Sequence, residues 1–540
     1  MKKVYLEYNP FLMETTIEID GEPISVEGEL YKQSNGRRMQ EWLDELFPEL
    51  VTECNDDITL TFRGTQLDFD DVRVAKESYE RQMQQKGEEP IGIRLEALPF
   101  AKSAQERIAK LKELFDDMQR DCPFPDLQDE DIKRSFQDAI DTEFEVNVIA
   151  TMSSGKSTLI NALLGRELMP SKNEACTATI ARITDRDERD VFSAECKNEN
   201  GDVIEKNDNL TLEAMERYNN DTNIMDIDIE GDIPFVSSKD MQLVLLDTPG
   251  PNNSRTDEHE KRIYRVIKDD RMPMALYVMN ATQLFVDDDD TLLRAVAEAM
   301  QAQHGKQARD RFIFAINKTD MLDPEKGESV INMIAQAEDY LKKKGIETPN
   351  IYPISAETAK LIRMSQKGAE LTKKQRWNLE GSVENFENTA MHLETYAPLS
   401  MLNEDKMKAD IDSARNNQDK YAGTLVHTGV PAVEATIAEY VEKYALTSKI
   451  KMAVDTFKGG IEEKQLTVKL EEEMTADEGK RKALHEQYAH LEKQFADGKE
   501  AQQFQEKIQA LDVSSDVTKK CRMVRTKIKE TPNKSPNMIK

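Results

Sequence analysis

The sequence predicts an α/β fold: a doubly wound, mostly parallel sheet in the middle of the chain, a small α+β module before it, and helical segments on either side. Three observations carry this expectation. Apolar runs (VNVIA, TATIARI, MQLVLLD, MALYVMN, RFIFAIN and NIYPIS) alternate with helical stretches between about residues 143 and 360. Several of these runs lack polar alternation, as strands covered on both faces do. A glycine-lysine-serine loop follows the first run and opens a helix.

Residues 1–100 alternate short strand-like runs (TTIEI, ITLTF, IGIRLEAL) with the amphipathic stretch RRMQEWLDELF. This reads as an α+β module, and ITLTFRGTQLDFDDVRV resembles a β-grasp, ubiquitin-like segment. Over 101–142 the pattern turns helical. Ser103 and Glu106 fit a capping box, and Ile108, Leu111, Phe115 and Met118 repeat at helical spacing. Pro123 and Pro125 stop that helix, and Ile132, Phe136 and Ile140 mark a second.

The α/β domain is expected to span 143–450, with a polar, weakly patterned insertion at 358–428 and a strong helix in GVPAVEATIAEYVEKYA. Residues 451–540 read as helical. Thr475 and Glu478 make a capping box, Leu484, Tyr488, Leu491 and Phe495 form a seam, and a basic tail follows. The helices at 103–141 and after 450 each carry an apolar seam that neither can bury alone, and are expected to pair.

The 540 residues carry a net charge of −30, which opposes non-specific binding of nucleic acid. Five scattered cysteines without a C-x-x-C pair indicate neither a disulfide framework nor a zinc cluster, and favour a reducing cytoplasm. The N-terminal run lacks a signal core, and no stretch approaches the ~18 apolar residues of a membrane span. A soluble, cytoplasmic protein is expected.

The chemistry starts at TMSSGKST, between strand and helix. There the backbone N–H groups of Ser154, Gly155, Lys156 and Ser157 face a β-phosphate at a helix terminus, with Thr158 next in the turn. Lys156 bridges β- and γ-phosphates, and Ser157 offers a hydroxyl to Mg²⁺. The pattern G-x-x-x-x-G-K-[ST] wants glycine where Ala150 stands. Alanine is tolerated if that position keeps a negative φ.

In LVLLDTPG, Asp247 ends a buried strand, where a carboxylate holds a Mg²⁺-bound water, and Gly250 lets its N–H approach the γ-phosphate. In NKTD, Asp320 accepts from guanine N1–H and the 2-amino group; adenine offers neither donor, so the contact rejects ATP. Asn317 reaches the N7/O6 edge and ties to the phosphate loop, while the stem of Lys318 covers the base. In IYPISAET, Ser355 and Ala356 follow a strand and direct the Ala356 N–H at guanine O6. Between the first two motifs, Thr177 and Thr179 are both candidates to complete the Mg²⁺ shell, Thr177 being preferred. Arg255, after DTPG, reads as a solvated loop residue. Four motifs in order, each at a strand end, imply a GTP/GDP site.

The loop SSGKSTLINALLG, the run CTATIARI, DTPGPNNSRTDEH, YVMNATQLFVDDDD, NKTD and HTGVPAVEATIAEYVEKYA together resemble the bacterial dynamin-like proteins, over residues 143–450. So does the 91-position gap from Lys156 to Asp247. The resemblance implies a large Mg²⁺-dependent GTPase with a P-loop G domain, dimerising across its nucleotide faces and driving helical bundles. It also implies a monovalent cation beside Ser153, so that Ser153, Lys156 and Thr177 form the catalytic set. Eukaryotic dynamins place a water-orienting glutamine where Met152 stands, so slow basal turnover is expected. The resemblance implies membrane action, with an anionic membrane or a partner protein as the partner, whereas the sequence shows no apolar hairpin or paddle. A membrane-remodelling GTPase and a soluble switch acting through partner proteins are both retained. A ribosome-linked GTPase is disfavoured by the acidity.

Overall fold

The computed structural model describes residues 1–9, 14–37, 39–98, 104–121, 130, 133–134, 136–137, 143–150, 153–170, 179–187, 189–236, 241–247, 273–284, 290–302, 311–323 and 326–442. The chain divides into two compact units, residues 1–112 with 137–454 and residues 113–136 with 455–540.

The first unit opens with β1 (Lys2–Asn9), β2 (Glu14–Ile19) and β3 (Glu22–Pro23), then α1 (Glu29–Ser34), α2 (Leu43–Cys54), β4 (Ile58–Arg63), α3 (Gln66–Lys86) and β5 (Ile93–Ala97). The five strands form one sheet in the order β3-β2-β1-β4-β5. β1 and β4 bury alternate residues, so Val4, Leu6, Ile58, Leu60 and Phe62 meet Trp42, Leu46 and Phe47 in one core.

The α+β reading holds, but the strand order departs from a β-grasp. There the last strand lies beside the first; here β4 takes that place, parallel to β1, and β5 is parallel to β4 at the edge. The cause is α3, a 21-residue crossover helix capped by Thr65, whose side chain accepts from the Asp68 N–H. A crossover of that length returns the chain parallel to β4.

After α4 (Ala104–Asp121) come β6 (Glu143–Ala150), α5 (Lys156–Leu164), β7 (Ile180–Asp185), β8 (Ser193–Lys197), β9 (Val203–Asn207), α6 (Leu212–Asn220), β10 (Asp226–Gly231) and β11 (Gln242–Asp247). The chain continues through β12 (Met274–Asn280), α7 (Asp290–Ala302), β13 (Phe312–Asn317), α8 (Val330–Lys343), β14 (Asn350–Pro353), α9 (Ala356–Gln366) and α10 (Lys373–Asn385). It ends, among the described residues, in α11 (Met401–Asn416), α12 (Lys420–His427) and α13 (Val430–Tyr440).

Nine strands make the large sheet, ordered β14-β13-β12-β6-β11-β7-β10-β8-β9. The five strands from β14 to β11 are mutually parallel, and β7 opens a wing of mixed direction. All six predicted apolar runs contribute strands, and β12 and β13 are buried along their whole length. The polar region 358–428 contains most of α9, with α10, α11 and α12, where the sequence showed only weak patterning. α11 meets the N-terminal module, with the Leu402 N–H on Asp71 Oδ1 at 2.9 Å and Arg81 3.6 Å from Asp405.

In the second unit, Phe115 and Phe136 stack with ring centroids 3.8 Å apart. The seam at Leu484 to Phe495, the boxes at Ser103 and Thr475, and the expected pairing of flanking helices all involve positions outside the described residues. No described helix is long and apolar enough to cross a membrane.

Candidate functional site

The carboxyl end of β6 lies between β11 and β12, where the chain's path across the sheet reverses, the crevice in which open α/β sheets take ligands. Register brings the predicted motifs there. Ala150 of β6 pairs with Val278 of β12, Asn280 at the end of β12 faces Asn317 at the end of β13, and Asp247 faces Val148.

Ala150 finishes β6 as a buried strand residue and is not among the residues with positive φ. The left-handed turn falls on Ser153 (φ 62°) and Gly155 (φ 89°) instead. That explains how the loop does without its first glycine. Gly155 itself is required, because a Cβ there would collide with Asn317 Nδ2. α5 starts at Lys156, so the following N–H groups open towards the crevice.

Lys156 forms an ion pair with Asp247 Oδ1, at side-chain exposures of 10% and 0%. Asp247 Oδ2 is buried without a hydrogen-bond partner among the described residues, as is Ser154 Oγ. A hard divalent cation fits this donor set: a carboxylate with an uncommitted buried oxygen, and the half-buried Ser157 on the first turn of α5.

Asn317 joins two motifs. Its Nδ2 donates to the Ser154 carbonyl at 2.9 Å, and its Oδ1 accepts the Ala356 N–H at 3.0 Å. The expectation that Asn317 ties to the phosphate loop is met. The Ala356 N–H, expected to point at a base oxygen, is held by Asn317. Lys318, also left-handed (φ 65°), donates from Nζ to the Ser153 carbonyl at 2.7 Å. Thr319 anchors the loop through its N–H on the Ile354 carbonyl, 3.2 Å, and its hydroxyl on Ile316, 2.9 Å.

Burial pushes the Asp320 carboxyl above its ordinary value, and a hydrogen bond from Ser355 opposes that rise. Asn385 Nδ2 donates to the Asp320 carbonyl at 3.3 Å, and the Ser355 N–H donates to Thr428 O at 2.9 Å. The loops carrying Asp320 and Ser355 are thus braced by segments outside the four motifs.

Thr179, the second switch candidate, is buried and gives its hydroxyl to Asn219 Oδ1. Thr177, Met152, Gly250 and Arg255 lie outside the described residues. Ser157 and Thr158 sit half-buried on the first turn of α5. Ser153 has an exposed side chain, and its carbonyl accepts from Lys318.

Asn280 carried no role in the sequence reading. It is buried, donates to the Ser153 carbonyl at 3.4 Å, and accepts from the Thr282 N–H and hydroxyl at 3.1 and 2.9 Å. The available signal was an asparagine ending a wholly apolar strand, where a polar side chain needs a partner.

Residues 146–318 match the model of the dynamin family. An uncharacterized protein in the xynA 3'region of Caldicellulosiruptor sp. (strain Rt8B.4) is 28% identical over 226 residues, 40% of this chain and 50% of that protein. The match therefore spans half the length of that relative. Among solved structures, a chain of an oligomerised bacterial dynamin pair, described as a mechanism for long-range sensing and tethering of membranes, aligns at 15% identity. Its TM-score is 0.38, over 75% of this chain and 53% of that one. LeoA, a bacterial dynamin GTPase from ETEC, aligns at 16% identity and TM-score 0.28, over 64% and 46%.

Proposed function

We propose, from the match of residues 146–318 to the dynamin family model, that this chain hydrolyses GTP to GDP and phosphate and converts nucleotide-dependent dimerisation into movement of attached helices. The observation that carries the reading is Asn317 bonded to the phosphate loop on one side and to the Ala356 loop on the other. One side chain thereby fixes the distance between the groups that read a base and those that hold its phosphates.

In this reading Asp320 accepts from guanine N1–H and the 2-amino group, Lys318 covers the ring, and Ser355 and Ala356 frame its edge. The N–H groups of Ser154 to Thr158 cradle the phosphates, the Gly250 N–H approaches the γ-phosphate, and Lys156 leaves Asp247 to bridge the β- and γ-oxygens. Ser157, Thr177 and Asp247 would hold Mg²⁺, which would supply charge neutralisation to the phosphates. Thr177 orients water through its backbone carbonyl. With no amide side chain at position 152, water is positioned by backbone groups, which gives slow basal turnover. A monovalent cation at Ser153 would use its exposed side chain, since the carbonyl is taken by Lys318.

We assign 1–100 to the α+β module, 101–142 and 451–540 to helical segments that form a bundle, and 143–450 to the G domain. The setting is the cytoplasm with peripheral attachment to an anionic membrane, and the partner is a second copy. Membrane action rests on the resemblance to the dynamin family. A soluble switch working through partner proteins is the second reading, favoured by the net charge of −30.

GTP turnover measured against protein concentration, with ATP as control, tests the enzyme. Specific activity that rises with concentration for GTP alone supports it, and equal turnover of ATP defeats it. Flotation with anionic liposomes separates the two settings: nucleotide-dependent lipid binding selects the first, and its absence the second.

A further inference from the structure

We infer that His392, Glu394 and His427 form a binding site for one divalent transition-metal ion of the zinc class, outside the nucleotide site. The ligand atoms of the three side chains lie within 4.8 Å of one another. Two imidazoles and a carboxylate are a set that Zn²⁺ takes, with a fourth position left to water.

Burial argues that the set is built rather than incidental. The Glu394 and His427 side chains are 6% and 13% exposed, and His427 Nδ1 is 2.9 Å from Glu394 Oε1. Glu394 Oε2 is buried with no hydrogen-bond partner among the described residues, and His427 is the partner of its one described ion pair. A carboxylate oxygen left in this state is costly unless something cationic completes it. The Phe386 carbonyl faces the His392 ring as an acceptor. Metal-binding histidines are oriented by such an outer partner.

The two rings stack with centroids 3.5 Å apart and planes 7° from parallel. Metal bonds lie in the ring plane, so binding turns the half-buried His392 ring out of the stack. A tetrahedral ion with bonds of ~2.0–2.1 Å spaces its ligand atoms about 3.3 Å apart. The His427–Glu394 pair is already near that spacing. The ion takes the place of the direct contact between these two ligand atoms.

The site joins the turn Leu393–Tyr396 to the end of α12, and the next residue, Thr428, accepts the Ser355 N–H. A bound ion therefore stiffens the support of the Ser355 loop. The metal assignment itself rests on these three side chains and not on the nucleotide reading.

The test uses the full, tag-free chain without nucleotide, with Co²⁺ as a spectroscopic probe and Zn²⁺ in calorimetry. Expected are one Co²⁺ per chain, the visible bands of a tetrahedral nitrogen-oxygen site without sulfur charge transfer, and displacement by Zn²⁺. His427→Gln and Glu394→Gln should each weaken binding by more than the ~10–100-fold that loss of an outer partner costs. His392→Gln, at the more accessible ring, keeps the test decisive if the Glu394 variant does not fold, as judged by circular dichroism. Absence of the bands, bands dominated by thiolate, or unchanged affinity in His392→Gln overturns the site.

Discussion

Asn317 reaches across 163 positions of sequence to the Ser154 carbonyl and meets it at 2.9 Å, while its other amide atom holds the Ala356 N–H. Asn317→Ala should therefore weaken GTP and GDP alike, by about 1–3 kcal/mol, roughly 5–150-fold. Titration of fluorescent GDP and GTP measures it. A loss confined to GTP would mean that the bond acts on the γ-phosphate side alone.

Lys156→Ala removes the phosphate partner and also strands Asp247, which is fully buried. The variant should lose GTP binding and about 3–5 kcal/mol of stability, since the remaining carboxylate is unpaired. Lys156→Ala with Asp247→Asn should recover most of the stability and none of the binding. Urea unfolding of both variants decides; an additive double variant would show that the pair is not coupled in the free protein.

Thr179 spends its hydroxyl on Asn219 of α6. Thr179→Val should cost about 1 kcal/mol of stability and leave kcat near the parent value, whereas Thr177→Ala should lower kcat severely at little cost in folding. Single-turnover GTP hydrolysis with both variants assigns the switch threonine. A slow Thr179 variant and a normal Thr177 variant would reverse the assignment.

Much of this was readable because of where burial is complete. β6, β11, β12 and β13 announce themselves as apolar runs, and each delivers its polar motif at its carboxyl end. The wing did not. β8, β9 and β10 are short, alternating and rich in charge, so their pattern resembles a polar loop until their partners are known. Strand order in the N-terminal module depended on α3, whose mixed charges hid its length. At the candidate site, the asparagine, glycine and aspartate motifs were legible by type, order and position at strand ends. Asn280, and the Thr428 carbonyl beneath Ser355, were not, because a group that acts by bonding a main-chain atom leaves no pattern in spacing.

Asp185, buried at the end of β7, has its carboxyl pushed up to about 6 by burial, with Asp187 and Asp232 adding like charge. The folded state holds that proton more tightly than the unfolded chain, so stability falls as pH rises between ~4 and about 6. Asp185→Asn keeps an acceptor for the Ile233 N–H, 2.9 Å away, and removes the charge. It should stabilise the protein by roughly 1–3 kcal/mol above pH 7 and by almost nothing near pH 4. Denaturant curves at the two pH values check this, and a gain independent of pH would refute the electrostatic account.

Asp320 must be ionised to accept two donors from guanine, yet burial raises its carboxyl and favours the protonated form. The signs combine simply. GTP affinity should be flat at high pH and fall as pH drops through the raised value, approaching tenfold per unit, and the fall should begin above the ordinary carboxylate range. Asp320→Asn replaces the acceptor of two bonds with a group that offers one oxygen and an unwanted donor. It should cost on the order of 10⁴ in affinity and leave the remainder insensitive to pH. GDP titrations from pH 8 to pH 5 separate this carboxyl from those nearer the phosphates. If the Asn variant keeps the parent's pH profile, the titrating group lies elsewhere and the base contact is not made by Asp320.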